Sequence, residues 1–334
     1  MNGLFFGLAL AGITSLCANP AWADCAPLRM INTVKMESVG DGERLLVPVI
    51  INGTPEKLIL DTGGATTQLS PGVVKELGLR LEQSHIALFD LYGNASNNQV
   101  TVKTFELGRQ KGQNFVLQVS ASPEFGSGAA GLFSSDFFLA YDVDLDFGAG
   151  RMNFFSQDHC AGRVTYWPER PLSVVKFTLE GADINVPVTV DGHALTAVLD
   201  TGAPRTVMTT TVASDVFGLI PGNADTPMTG ASDTESGIKY YVHKFAGLSF
   251  EGLTVANPGI TIMTDRMGAG PGVFKSSIRG VLNDPYNHVQ ADRLIIGMDV
   301  LSRLHVYIAY REKKLYITPA GSGESVLFKD APSP

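Results

Sequence analysis

Apolar and polar residues alternate in the same layout at two places along the chain, Val47-Pro48-Val49-Ile50-Ile51-Asn52-Gly53 and Val186-Pro187-Val188-Thr189-Val190-Asp191-Gly192. A second apolar run follows each, Thr54 to Ile59 and His193 to Val198. Alternation on both sides of Asn-Gly or Asp-Gly predicts β-hairpins closed by type I′ turns. The two segments align without a gap at one offset (187 − 48 = 139 and 192 − 53 = 139). Both run into the same loop, Leu60-Asp61-Thr62-Gly63 and Leu199-Asp200-Thr201-Gly202. One Asp-Thr-Gly arises by chance in roughly one chain of this length in ten or twenty. Two copies in one hairpin frame imply duplicated folding units about a pseudo-two-fold axis, which brings a residue near the axis against its own counterpart.

The pattern after each loop also repeats. Ser70 as N-cap, Pro71 at the first helical position and Gly78 as stop predict a short helix over Val73 to Leu77. Thr210 or Thr211, then Val212 to Phe217 and Gly218, predict its partner. Polar, glycine-containing stretches follow at Leu91 to Asn98 and Gly230 to Gly237, each leading into alternating residues. They read as hairpins with exposed tips, either of which is a flap over a cleft or an ordinary surface hairpin. Tyr92, Gly93, Tyr240 and Tyr241 are the flap or cleft candidates.

Each half closes on an apolar segment, Leu132-Phe133-Ser134 and Ile295-Ile296-Gly297, followed by a strand. Asp142, Asp144 and Asp146 mimic the start of a calcium loop, but Phe147 and Asn153 stand where that loop needs glycine and glutamate, so they read as the polar face of a strand. The prolines of 166–171 mark the link between lobes. Residues 267–292 have no counterpart of that length in the first half and are expected on the rim of a cleft. The expected organisation is therefore a signal peptide at 1–23, an N-terminal lobe at 24–165, a C-terminal lobe at 166–320 and a flexible tail at 321–334.

Composition sharpens this. With 36 glycines and 18 prolines and few long helical periodicities, the chain reads as all-β with many turns. A net charge of −8 without a basic run argues against nucleic acid or an anionic membrane surface as partner. Leu4 to Leu16 and the Ala21-Trp22-Ala23 pattern before Asp24 mark the signal peptide, and the apolar stretch is short for the competing reading, a membrane anchor. A periplasmic or secreted chain with no span after signal removal is expected. Loss of Cys17 with the signal leaves Cys25 and Cys160, an even pair in an oxidising compartment, so a disulfide between them is expected. No Cys or His spacing suggests a metal, and no cofactor is implied.

Ile59-Leu60-Asp61-Thr62-Gly63 and Val198-Leu199-Asp200-Thr201-Gly202, with Ile295-Ile296-Gly297 downstream, resemble the signature of the aspartic peptidases over nearly the whole mature chain. Gly64 and Ala203, with Thr67 and Thr206 beyond, look more like the retropepsin branch than pepsin, and the duplication resembles an exported, bacterial-type two-lobe member. Ser134 departs from the pattern at the first half's glycine position, unless Ala129-Ala130-Gly131 fills that role. The resemblance implies an all-β, two-lobe pepsin/retropepsin-like fold with pseudo-two-fold symmetry and a few short helices. It also implies a monomeric endopeptidase acting on peptide or protein substrates. Asp61 and Asp200 would share one proton and activate a water, with neither assignable as acid or base. Gly63 and Gly202 would let backbone amides approach the carboxylates, and Thr62 and Thr201 would hydrogen-bond across to the opposite loop. A catalytically silent peptide- or carbohydrate-binding envelope protein on the same fold is the alternative. Gly64 and Ala203 carry no hydroxyl to bond the aspartates, which predicts a working range of about pH 5 to 7.

Overall fold

The two predicted hairpins form, and the backbone shows why their turns need those residues. Asn52 and Gly53 have φ of 52° and 87°, and Asp191 and Gly192 have 45° and 86°. Positive φ at both central positions is the type I′ turn, whose twist matches that of the flanking strands. Strands Arg44–Ile51 and Thr54–Asp61 pair antiparallel in the first half, and Asp183–Val190 and His193–Leu199 in the second. The computed structural model describes residues 25–40, 42–89, 95–167, 172–231, 237–264, 293–321 and 326–328. The expected signal peptide, Tyr92 and Gly93, most of the proline-containing link and the extra segment of 267–292 lie outside the described residues.

Three sheets carry the chain. Eight strands between Glu37 and Ser134 form one, and eleven between Thr178 and Phe328 form another. The two share a core topology. In the first, the strand ending at Asp61 runs parallel to Gly131–Ser134, which also pairs antiparallel with Gln68–Leu69. In the second, His193–Leu199 runs parallel to Arg293–Ile296, which pairs antiparallel with Val207–Thr209. The third sheet has six strands, three from each half, in the order Met30–Lys35, Arg151–Phe155, Asp142–Asp146, Leu304–Ala309, Lys314–Pro319, Ser173–Lys176. At its centre Asp144 pairs with Tyr307. Beyond the extra segment the halves align at a second offset (297 − 134 = 163), and 307 − 144 is also 163, so this pair consists of two counterparts and the pseudo-two-fold axis passes between them.

The helices are short, as expected. Ser70 accepts the Val73 N–H and caps Pro71–Glu76. In the second half the cap is Thr209, one residue before the expected pair, because its hydroxyl accepts the Val212 N–H at 3.2 Å and lets the helix begin at Thr210. Gly218, at φ 66°, closes that helix. Inside the expected tail of 321–334, Val326–Phe328 forms a strand along Leu253–Ala256. Three consecutive apolar residues pairing with the sheet edge correct the reading of that stretch as tail.

The polar-face reading of Asp142 and Asp144 also needs correction, since both are fully buried in the sheet between the lobes. Asp142 Oδ2 lies 2.6 Å from His159 Nε2, and Asp144 Oδ1 lies 2.6 Å from His305 Nε2. Tyr166 and Asn153 donate to Asp144 Oδ2 at 2.6 and 2.8 Å, and the Trp167 ring packs tilted against that of His305 with centroids 4.3 Å apart. Burial is tolerable here because the lone pairs are met by donors. Cys25 and Cys160 form the expected disulfide.

Candidate active site

Two strands deliver the aspartates. Thr54–Asp61 and His193–Leu199 are apolar and buried where they end, so the chain arrives at each loop on a rigid support. Asp200 is anchored by its N–H on the Ile296 carbonyl at 3.0 Å. Past each aspartate the threonines lock the loops together. Thr62 Oγ1 donates to the Leu199 carbonyl at 2.8 Å and accepts the Thr201 N–H at 3.1 Å. Thr201 Oγ1 donates to the Leu60 carbonyl at 2.9 Å and accepts the Thr62 N–H at 3.0 Å. The four bonds form a closed square across the axis, so neither loop shifts without the other.

The glycine of each loop lies against the carboxyl group of the other. A Cβ on Gly63 would lie 2.5 Å from Asp200 Cγ, and one on Gly202 would lie 2.6 Å from Asp61 Oδ1. Each glycine of one loop thus touches the carboxyl group of the other, and any side chain would drive the pair apart. Asp200 Oδ1 accepts the Gly202 and Ala203 N–H groups at 2.8 and 3.2 Å. Burial is the main cause that pushes the Asp61 carboxyl well above the usual range, followed by the charge of Asp200 and a hydrogen bond between the two carboxyls; the Gly64 and Gly63 amides pull the other way. The two carboxyl groups are therefore close enough for the charge state of one to set that of the other.

A second pair of aspartates supports the loops, and nothing in the motif alone marks it. Asp136 accepts the Thr67 N–H at 2.9 Å and its hydroxyl at 2.7 Å, while Thr67 Oγ1 accepts the Ser134 N–H at 3.1 Å. Asp299 accepts the Thr206 N–H at 2.8 Å and its hydroxyl at 2.6 Å, while Thr206 Oγ1 accepts the Gly297 N–H at 3.1 Å. The offset 299 − 136 = 163 was the available signal. Ser134 also holds the counterpart position of Gly297, which decides against Ala129-Ala130-Gly131 for that role.

The sequence model of the aspartyl protease family matches residues 47–137 and 186–305, more than half of the chain. The chain belongs to the aspartyl protease family. None of the curated proteins matches it. Among solved structures it is similar to the aspartic proteinase from Irpex lacteus, at 12% identity and a TM-score of 0.49, over 88% of this chain and 99% of that one. Of the flap candidates of this aspartyl protease, Tyr240 and Tyr241 lie on strand Lys239–Lys244. Tyr241 packs half-buried against the core of its own lobe, and Tyr240, next along the strand, points to the other face.

Proposed function

We propose that this aspartyl protease is an exported endopeptidase, working in the periplasm or outside the cell, in which Asp61 and Asp200 activate the attacking water. The observation that carries the reading is the pair of carboxyl groups in mutual hydrogen-bond contact, held by a square of threonine bonds. Two ionised carboxylates ~3 Å apart at an effective dielectric near 20 repel by about 5 kcal/mol, roughly four pKa units, so one keeps its proton. That logic is general to aspartic proteases.

The ionised carboxylate takes a proton from a water held between the pair while the water oxygen bonds to the peptide carbonyl carbon. The protonated partner donates its proton to the carbonyl oxygen, leaving a neutral tetrahedral diol. The aspartate that took the water's proton then gives it to the amide nitrogen while the other takes a proton from a diol hydroxyl, so the C–N bond breaks to a carboxylic acid and an amine and the pair again holds one proton. Gly63 and Gly202 leave the space in which the two carboxyl groups meet, and Thr62 and Thr201 act only as scaffolding. No metal or cofactor is called on. The deciding experiment is cleavage of a broad peptide library by the mature chain beside its Asp61→Asn form. Cleavage by the first and not the second supports the reading, and wild-type peptide binding without cleavage would favour a silent binding protein instead.

A further inference from the structure

The two halves differ at one pair of positions beside the carboxyl groups. In the second half the residue after Asp-Thr-Gly is Ala203, and the residue facing it across the loop is Gly297; in the first half the same positions hold Gly64 and Ser134. A Cβ on Gly297 would meet the Arg205 carbonyl carbon and oxygen at 2.4 Å and the Ala203 carbonyl oxygen at 2.8 Å, so that position has no room for a side chain. In the first half the arrangement is reversed, with a side chain at 134 and none at 64. A Cβ on Gly64 would fall 2.4 Å from Asp61 Oδ2 and 2.6 Å from Ser134 Oγ.

Those two oxygens therefore flank one gap and are no farther apart than the two distances together, about 5 Å. Ser134 is fully buried, and its Oγ has no hydrogen-bond partner among the described residues. Its backbone N–H is already committed to Thr67 Oγ1 at 3.1 Å, which fixes the residue in place and leaves only the hydroxyl free to turn. A buried hydroxyl is costly to leave unpaired. The Asp61 oxygen it faces is the outer one, since Oδ1 is the atom nearest the Gly202 position of the opposite loop.

We propose that Ser134 is a positioning residue for Asp61: its hydroxyl donates to Oδ2, by rotation about χ1 or through one bridging water, and stabilises the ionised carboxylate. The hydroxyl that Gly64 lacks is thereby supplied from the neighbouring strand, in this half alone. The inference rests on the reading of Asp61 and Asp200 as one acid–base unit. Burial and Asp200 push the Asp61 carboxyl up, and the hydroxyl works against them. The charged groups around this corner are Asp200 opposite, Asp136 behind Thr67, and Asp299 with Arg205 behind Thr206, and the test leaves all of them in place.

The test is a carboxyl titration by NMR of the protein labelled with 13C at aspartate carboxyls, with Asp61→Asn to assign the resonance, together with kcat/KM against pH. Ser134→Ala is compared with Ser134→Gly, which installs the second half's own residue, and with Thr318→Val, which removes another buried hydroxyl without a partner among the described residues, in the sheet between the lobes. Loss of the donor at 134 should raise the lower apparent pKa of the pair, and the acid limb of kcat/KM, by about half a unit to one unit. Thr318→Val should move neither. An unchanged Asp61 titration in both Ser134 variants overturns the inference even if the wild type cleaves peptides. The expected titration shift in a protein that cleaves nothing upholds it and sinks the proposed function instead.

Discussion

Replacing Thr62 by valine keeps the shape of the side chain and deletes only its hydroxyl, so the cost can be worked from the bonds lost. Two disappear, the one to the Leu199 carbonyl at 2.8 Å and the one from the Thr201 N–H at 3.1 Å. Both orphaned groups sit in a buried loop, where an unpaired donor or acceptor costs about 1 to 3 kcal/mol. The variant should therefore lose roughly 2 to 6 kcal/mol from a stability that is typically 5 to 15. Thr62→Ser keeps both bonds and gives up one methyl, about 1 kcal/mol. Urea unfolding of the wild type, Thr62→Val and Thr62→Ser reads the difference directly from the midpoints. Peptide cleavage should follow the same order, because a misplacement of about 1 Å between reacting groups costs on the order of a hundredfold. Equal midpoints for valine and serine would refute the claim that the square of threonine bonds holds the two loops together.

Asp61→Asn and Asp200→Asn should each lower kcat/KM by roughly a thousandfold or more with little change in folding, and a statine-type inhibitor should bind the wild type far more tightly than either variant. Ala203→Ser places a hydroxyl beside Asp200 and should lower the acid limb of the kcat/KM profile by about one unit; a wild-type optimum near pH 3 would count against the argument. Cys160→Ser should reduce stability by about 2 to 5 kcal/mol, measured against the wild type with and without reductant. Burial alone would depress the His159 imidazole, but its bonds to Asp142 and the Cys160 carbonyl raise it above the usual range. A raised folded-state value adds stability that is complete below about pH 6.5 and is lost as pH rises through that higher value, so His159→Asn should flatten the fall of the melting temperature above pH 6.5.

Most of the frame was legible because it follows from local chemistry written twice. Asn52-Gly53 and Asp191-Gly192 announce their turns whatever the lobes do, and a fixed offset aligns Asp61 with Asp200 from the order of residues alone. What stayed hidden depends on contacts distant in sequence. Asp142 and Asp144 alternate with Val143 and Leu145 and look like a wetted face, and only the pairing with Leu304–Ala309 of the other half shows them enclosed. Asp136 and Asp299 were visible as letters, but their task is set by Thr67 and Thr206, some 70 and 90 residues away. Ser134 read as a departure from the pattern; its meaning depends on the space left by Gly64.

The same physics accounts for where the symmetry is kept and where it is broken. Near the axis stand two identical acids, Asp61 and Asp200, and in the mechanism proposed above their repulsion is relieved by a proton held in common. In the six-stranded sheet, a symmetric chain would place aspartates at 305 and 307, the counterparts of Asp142 and Asp144, giving four carboxyl groups with no water to screen them. One shared proton would not suffice there, because each ionised group enclosed by low-dielectric protein needs its own donors. The second half instead carries His305 and Tyr307. His305 reaches Asp144 at 2.6 Å and Tyr307 donates to Asp142 at 3.4 Å, so each counterpart serves the acid its own symmetry mate is not. Replacing His305 by aspartate would restore the repeat and unbalance the charge. It should cost more stability than His305→Gln, whose amide reaches about as far as the imidazole Nε2 and keeps a donor toward Asp144, and chemical denaturation of the two variants side by side measures the difference. If the aspartate variant were the more stable, the account of the buried acids as donor-compensated would be wrong.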